Sequence, residues 1–595
     1  MQRTPTRAAL AALVLAGLAA GCHPAPPAVA PSPAAEVERA AAEYHRQSLS
    51  DFPEFGTFLG TGEFDDRLSD NSLSARDARL ERLSRMLDVV RALHLQVIPH
   101  AQAVTLAMLQ TEVEKELATD VCQTQIWDVN PLDGPQVNLL QLQSFQPIPT
   151  PERGGKLLSR YRQMPRYLDT HVANLAAGLS RGYRAPRVAV ERVISQLDTL
   201  LATPDSALAL LDPVRTKPEA WPDAEWAAYR AELGGVVHDS VIPAFRRYRE
   251  FLATQYLPRA RAEVGVSANP NGAECYRARI RAETSLDLAP DEVHRTGLSE
   301  MAKIHAEMRE ITRRRFGTED LLSVFARLRE DARYAFATRE EVEKEANTAV
   351  DRARERLPDA FGRLPQAAVV VKRLEAYQEK DAPAAYYFPP AADGSRPGAY
   401  MVNTFQPTSR PRYTAEVLAY HEGVPGHHLQ IAIQQELEAL PAFRRFAGTT
   451  AFVEGWGLYS ERLADEMGLY SDDLQRLGML SFEAWRAARL VTDAGMHALG
   501  WTREQAITYM LQNTALTPLD AANEIDRYIV WPGQALAYKT GQLEILRLRD
   551  EARRRLGERF DLRGFHDVVL GSGAVTLPIL RQQVESWIST QEAAL

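Results

Sequence analysis

Cysteine is scarce in this chain. Of 595 residues only three are cysteine, and Cys22 falls in an N-terminal address segment. The two that remain, Cys122 and Cys275, are too few for a disulfide framework. They leave room for one bridge, or for two separate buried thiols. Basic tracts are missing as well. With 69 Lys and Arg against 78 Asp and Glu, the formal charge is −9, which argues against nucleic acid as a partner. Beyond the N-terminus no stretch is apolar enough to span a bilayer, and no fixed-period repeat or sharp internal linker appears. A chain of roughly 560 residues is left once address and tether are set aside, enough for a large core or for two lobes around a cleft.

The address comes first. Arg3 and Arg7 precede an apolar run from Ala8 to Ala20 that ends in Leu18-Ala19-Ala20-Gly21-Cys22. The run is too short for a permanent membrane helix, so residues 1–21 read as a cleaved signal peptide. Their loss removes two arginines and no acid, moving the formal charge from −9 to −11. The Gly-Cys ending resembles a lipobox, with Ala19 where Leu is commonest. Cys22 would then be the lipidated first residue of the mature chain and its link to the membrane; ordinary signal-peptidase cleavage is the alternative. His23 rather than Asp after Cys22 points to the outer membrane of a Gram-negative envelope. Residues 22–35 are Pro/Ala-rich and read as a tether.

The body reads as mostly α, in an N-terminal helical region (36–365) and a second region (366–595) carrying the chemistry. Residues 38–49, 75–95, 155–179, 188–201, 223–257 and 290–316 show i, i+3, i+4 apolar spacing with charged opposite faces, which are solvated helix faces first. Residues 130–149 read as an irregular packing loop or cleft lining. Near residue 367 the texture changes: 368–374, 384–388 and 399–403 read as short strands separated by Pro- and Gly-rich turns.

Immediately after this small sheet comes Tyr420-His421-Glu422-Gly423-Val424-Pro425-Gly426-His427-His428-Leu429-Gln430. A His-Glu pair on a helix with another His beyond it is the raw material of a zinc hydrolase. Imidazoles hold the metal while the carboxylate takes a proton from the water it polarises. The spacing is not H-E-x-x-H. Six residues apart on a straight helix means about 120° and roughly 9 Å of separation, so His421 and His427 cannot share an ion on one. Pro425 clashes with the carbonyl of His421 four residues back, and Gly426 admits dihedrals closed to other residues. A break at residues 424–426 is therefore expected to swing His427 back towards His421, favouring it over His428 as second ligand. The third ligand is sought in Phe452-Val453-Glu454-Gly455-Trp456-Gly457-Leu458-Tyr459-Ser460-Glu461. One helix reads from Leu429 to Leu440, Pro441 breaks it, and an antiparallel return would set Glu454 opposite His427.

H-E-G-V-P-G-H-H-L-Q followed by E-G-W-G-L-Y-S-E resembles the bacterial family catalogued as domain of unknown function 885. Its members are predicted gluzincin-like zinc metallopeptidases, distantly similar to angiotensin-converting enzyme and the thimet-type oligopeptidases. The resemblance runs from Phe52 to the C-terminus and is strongest from Tyr386 to Gly541. It implies a large helical peptidase-like fold with a central cleft and names no substrate; the small sheet read above would lie next to the metal-binding helix, and a peptide substrate is the expectation drawn from the whole. In such peptidases a strand beside the metal pairs with the substrate backbone, and residues 400–403 are the candidate edge here.

Two further places carry candidates. Asp493 and His497 stand four apart on a helix and can meet on one face; His497 either binds substrate or orients a ligand, or is a hydrogen-bonded core histidine. In the run from Glu524 to Gly541, Tyr538 and Tyr528 are candidates to stabilise an oxyanion, as late tyrosines do in similar peptidases, and Arg527 to pair with a substrate carboxylate. The expectation is a zinc metallopeptidase-like hydrolase facing the periplasm. His421, His427 and Glu454 would hold Zn2+, Glu422 would act as general base and Tyr538 would assist. A zinc amidase acting on cell-wall material and a non-catalytic binding lipoprotein are the rivals.

Overall fold

Ser32 opens the first helix, Pro33–Asp51, its hydroxyl accepting from the Ala35 N–H while Pro33 fixes the first helical dihedral. The computed structural model describes residues 32–374, 379, 383–391, 396–446 and 448–593, so the signal segment, Cys22 and most of the tether lie outside it. Residues 33–35, read as tether, are a helical first turn. Of the other expected helices, residues 73–93, 151–180, 187–202 and 290–316 are helical to within a few residues of their expected bounds. The 223–257 run is carried through by two π-turns. The stretch 130–149 departs from expectation. Its centre is the helix Pro135–Phe145, with Leu139 and Leu142 buried, which the Gln-rich face concealed.

Among the described residues no helix is long and apolar enough to cross a membrane. One apolar core gathers side chains from Val37 to Ile588. A second belongs to residues 129–256 with Leu68. Where the two meet, Trp127, Tyr276, Leu490 and Leu536 pack around Cys122 and Cys275, which are bonded with their Cα atoms 4.6 Å apart. The bridge closes a loop spanning 153 positions, which holds all of the second core except Leu68, and so staples its neck. In the chain-entropy account such a loop contributes about 5 kcal/mol.

The sheet has strands β1 (Val369–Arg373), β2 (Ala385–Phe388) and β3 (Gly398–Val402) in the order β1-β3-β2. β3 runs parallel to β1 and antiparallel to β2. The strand read as a candidate edge is therefore the central one. Both its ladders are used and Ala399, Tyr400 and Val402 are buried, so no substrate backbone can add at residues 400–403.

Seven helices frame the chemistry: α1 (Pro290–Phe316), α2 (Ala415–Glu422), α3 (His427–Gln435), α4 (Thr450–Glu466), α5 (Asp473–Ala498), α6 (Pro518–Val530) and α7 (Ala537–Leu556). α3 ends five residues before the expected Leu440. The Glu436 carboxylate instead turns to accept from the N–H groups of Gln366 and Ala367, tying the helix end to the start of the sheet.

Candidate metal centre

α2 stops at Glu422 and α3 begins at His427. Between them the Val424–Pro425 peptide is cis, and a Cβ on Gly426 would lie 2.0 Å from the His421 carbonyl oxygen, so only glycine permits so tight a fold-back. The break undoes the straight-helix separation: the rings of His421 and His427 stand 4.6 Å apart between centroids, at 85°. From α4, Glu454 brings Oε2 to 3.7 Å from His421 Nε2 and 3.5 Å from His427 Nε2. One ligand atom from each residue lies within 4.8 Å of the other two. Tetrahedral coordination with bonds of about 2.0–2.1 Å puts neighbouring donors about 3.3 Å apart, so the two imidazole–carboxylate edges need contract by only a few tenths of an ångström. Two neutral-capable nitrogens and a carboxylate oxygen are a donor set that suits zinc.

α4 also builds the seat. Trp456 Nε1 and Ser460 Oγ both donate to the Pro425 carbonyl, at 3.0 and 3.2 Å, clamping the break. At Gly457 a Cβ would come within 2.7 Å of the His421 ring; the missing side chain is the space the imidazole occupies. Glu461, fully buried, accepts from His421 Nδ1 at 2.7 Å. That bond fixes the tautomer with Nε2 facing Glu454, the carboxylate–histidine arrangement that orients metal ligands. Its role was not read from the sequence, though the signal was there: seven residues is two helical turns, so Glu461 shares a face with Glu454.

The electrostatics favour positive charge at this point. Burial works against a charged His421, yet the carboxylates of Glu454 and Glu461 outweigh it and raise its pKa to about 9. Burial likewise opposes ionisation of Glu454, but the bonds from both imidazoles hold it well below the usual carboxylate range. Glu422 is half-buried, and its carboxylate has no hydrogen bond or ion pair among the described residues. Its charge, added to burial, pushes the Tyr400 phenol up.

His428 is excluded from the cluster by its own bonds. Nδ1 pairs with the Tyr387 hydroxyl and Nε2 with the Ala367 carbonyl, both at 3.0 Å, so it pins α3 to the sheet.

The remaining candidates separate. Both nitrogens of His497 are used, Nδ1 accepting from the Val266 N–H at 3.0 Å and Nε2 donating to the Tyr528 carbonyl at 2.9 Å. Asp493 accepts from the Tyr276 hydroxyl at 2.6 Å and from the Gly533 N–H. The pair do not bond each other; they grip the neck around the disulfide. His497 is thus a core histidine, not a substrate or ligand-orienting one. Tyr528 is also spent: its hydroxyl donates to Glu524 at 2.6 Å and accepts from Arg489 Nε at 2.9 Å, with 1% exposure, so it has no proton left for an oxyanion. Arg527 reaches Gln534 at 2.7 Å, the Tyr538 hydroxyl at 3.3 Å and Glu524 at 3.5 Å. Tyr538 alone keeps an unspent proton: its oxygen accepts from Arg527, and among the described residues nothing accepts from it.

The family model described as a bacterial protein of unknown function, DUF885, matches residues 53–584. The chain belongs to the DUF885 family. No curated protein matches it. Among solved structures, a protein from Colwellia psychrerythraea described as a candidate lipoprotein is similar, with 28% identity and a TM-score of 0.84, covering 94% of this chain and 99% of that one. A Shewanella oneidensis protein, described as a candidate lipoprotein of unknown function, shares the fold at 17% identity and a TM-score of 0.73, over 92% of this chain and 99% of its own. The family match therefore includes the sheet, the break and α4.

Proposed function

We propose that this DUF885 chain is a zinc-dependent hydrolase of peptide bonds, tethered in the cell envelope through a lipid on Cys22. One observation carries the chemistry: a broken helix and a distant one bring His421 Nε2, His427 Nε2 and Glu454 Oε2 to a common point, with the unpaired carboxylate of Glu422 next to His421 in sequence. Zinc held there supplies a lowered water pKa and a polarised amide carbonyl. Glu422 takes the proton from the attacking water and hands it to the leaving amine. Tyr538 donates its free phenolic proton to the developing oxyanion. Glu461 keeps His421 in register throughout. The tether reading draws on the lipobox-like ending at Cys22 and on the lipoprotein descriptions of the two similar structures.

Glu422 speaks against the non-catalytic rival, since a pure binder has no use for an unpaired carboxylate beside three metal-ligand atoms. The test is a peptide-library digest by the mature protein with zinc, with a chelator, and with Glu422→Gln. The variant should retain zinc while losing about 10²–10⁴ in rate, and the chelator should abolish cleavage reversibly. Absence of any amide cleavage by the zinc-loaded wild type sinks the hydrolase reading.

A further inference from the structure

The helices Pro33–Asp51, Leu73–Leu93 and His100–Thr119 pack together around Val37, Val90, Leu93 and Leu106. Their pairings fix which ends meet. Arg76 bonds Asp120 and Arg79 bonds Glu116, so the second and third helices are antiparallel and joined by a tip at residues 94–99. Asp51 pairs with Arg82 at 2.5 Å, and the Arg79 guanidinium lies 4.9 Å over the Phe52 ring. The first helix therefore runs antiparallel to the second, which carries its start towards the tip. Gln102, just past the tip, donates to Glu38 at 3.3 Å. Ser32, the residue that opens the first helix, thus stands at the level of residues 94–99.

That tip is apolar although it faces water. Leu95 and Val97 are 85% and 97% exposed, more than any other large apolar side chain among the described residues; Leu519 follows at 69%. Residues 92–111 hold no Lys, Arg, Asp or Glu, in a chain that is 25% charged. Single exposed apolar residues need no explanation, but two so close together on a charge-free tip present a joint apolar surface. The exposed rings at the other end of the first helix differ. Phe58 packs against Phe55, Phe145 and Phe388, with centroids 6.3 to 6.5 Å apart, so those rings cover one another.

We propose that the tip dips Leu95 and Val97 into the surface of the bilayer to which Cys22 is anchored. Ten residues, 22–31, link the anchor to Ser32, a reach of about 35 Å at most. Whatever path they take, the start of the first helix is the part of the body attached to the anchor, and the tip is its neighbour. The far end of that helix is about 28 Å further off. Tethering raises the local concentration of lipid, so two side chains suffice where they would not hold a free protein. With no basic cluster at the tip the attraction is apolar and does not call for anionic lipid. The lipid on Cys22 holds the protein; the tip sets which way the body, metal centre included, faces. This rests on the tether reading.

Coupling through Cys22 tests the tip apart from lipidation in the cell. The mature chain is joined by its Cys22 thiol to a maleimide lipid in vesicles of brominated phosphatidylcholine; Cys122 and Cys275 are bonded to each other and buried. Bromine on the acyl chains quenches an indole only at short range. Leu95→Trp should lose at least about half of the emission it adds to the parent, relative to plain phosphatidylcholine vesicles. Leu519→Trp, on α6, should lose none. Adding Val97→Asp to Leu95→Trp should restore the emission, since a carboxylate resists entry into the acyl region. All three positions are open to solvent, so the fold bears the changes. No added quenching at Leu95→Trp, or equal quenching at Leu519→Trp, overturns the proposal. So does a dimer formed without vesicles that Val97→Asp dissolves, which gives the tip to a second copy. Mass spectrometry of protein extracted from envelopes reads the anchor by itself. Absence of lipid on Cys22 sinks the tether reading and the tip with it, whereas lipid there without quenching sinks the tip alone.

Discussion

Two sets of buried histidines sit within this fold, and their bonds tell them apart. His428, His497 and His566 each spend both ring nitrogens inside the protein. His566, for example, reaches the Ala360 carbonyl at 2.8 Å and the Tyr459 hydroxyl at 2.7 Å. Burial depresses each of the three to a pKa of about 4, so they are neutral packing elements. His421 and His427 instead turn Nε2 towards a single carboxylate. His421 is raised to about 9 because two acids face it, despite burial. What sets His421 and His427 apart is two Nε2 atoms turned to one shared carboxylate, not burial, which His428, His497 and His566 share.

The largest effect that can break this contrast lies between neighbours. His427→Ala should lower zinc affinity by more than about a hundredfold, since losing a ligand outweighs losing a supporting residue, whereas His428→Asn should leave zinc affinity within a few-fold and lower stability instead. Competition with a colorimetric chelator reads the first, urea denaturation the second. If His428→Asn strips the metal and His427→Ala does not, the two sets have been assigned the wrong way round.

The second prediction concerns acid. A buried histidine whose folded pKa is about 4 against 6.5 unfolded contributes stability that is fully present above pH 6.5. It is lost as pH falls from 6.5 towards 4, because only the unfolded chain takes up the proton there. Each of the three is worth up to about 3 kcal/mol over that window. Urea denaturation of the protein at pH 7 and pH 4.5 should show the loss, and His497→Gln should shrink it. A stability flat between those values means that these rings are not held neutral.

Much of this contrast was legible beforehand and some was not, for physical reasons. Pro425 and Gly426 announce the break because proline cannot continue a helix past its own clash, and that local rule fixes His427 in preference to His428. Apolar periodicity places the long helices because it follows from one buried face. The order of the sheet was not legible: β3 is central although it comes last in sequence, a choice made by packing against α3 and by the parallel crossover to β1. The fates of Tyr528 and His497 were hidden too, because their partners Arg489, Glu524 and Val266 come from elements whose adjacency only the tertiary fold sets. The Cys122–Cys275 bridge belongs here as well, being a consequence of the neck that joins two cores.

The smallest effect sharpens the contrast from outside the ligand set. Glu461 touches no metal-facing atom, yet it answers His421 Nδ1 and thereby leaves Nε2 as the nitrogen free to face Glu454. Glu461→Gln keeps the volume and offers an amide oxygen to the same proton, but gives up the charge and allows the amide to flip, presenting N–H to Nδ1 and reversing the tautomer. Zinc affinity should fall by about 10–100-fold, the usual range for such supporting carboxylates, with folding preserved. Glu461→Asp, too short to reach, should cost as much or more. An unchanged affinity in both variants means that α4 and the space at Gly457 alone orient the ring, and the distinction between answered and unanswered nitrogens then rests on sterics, not on the carboxylate.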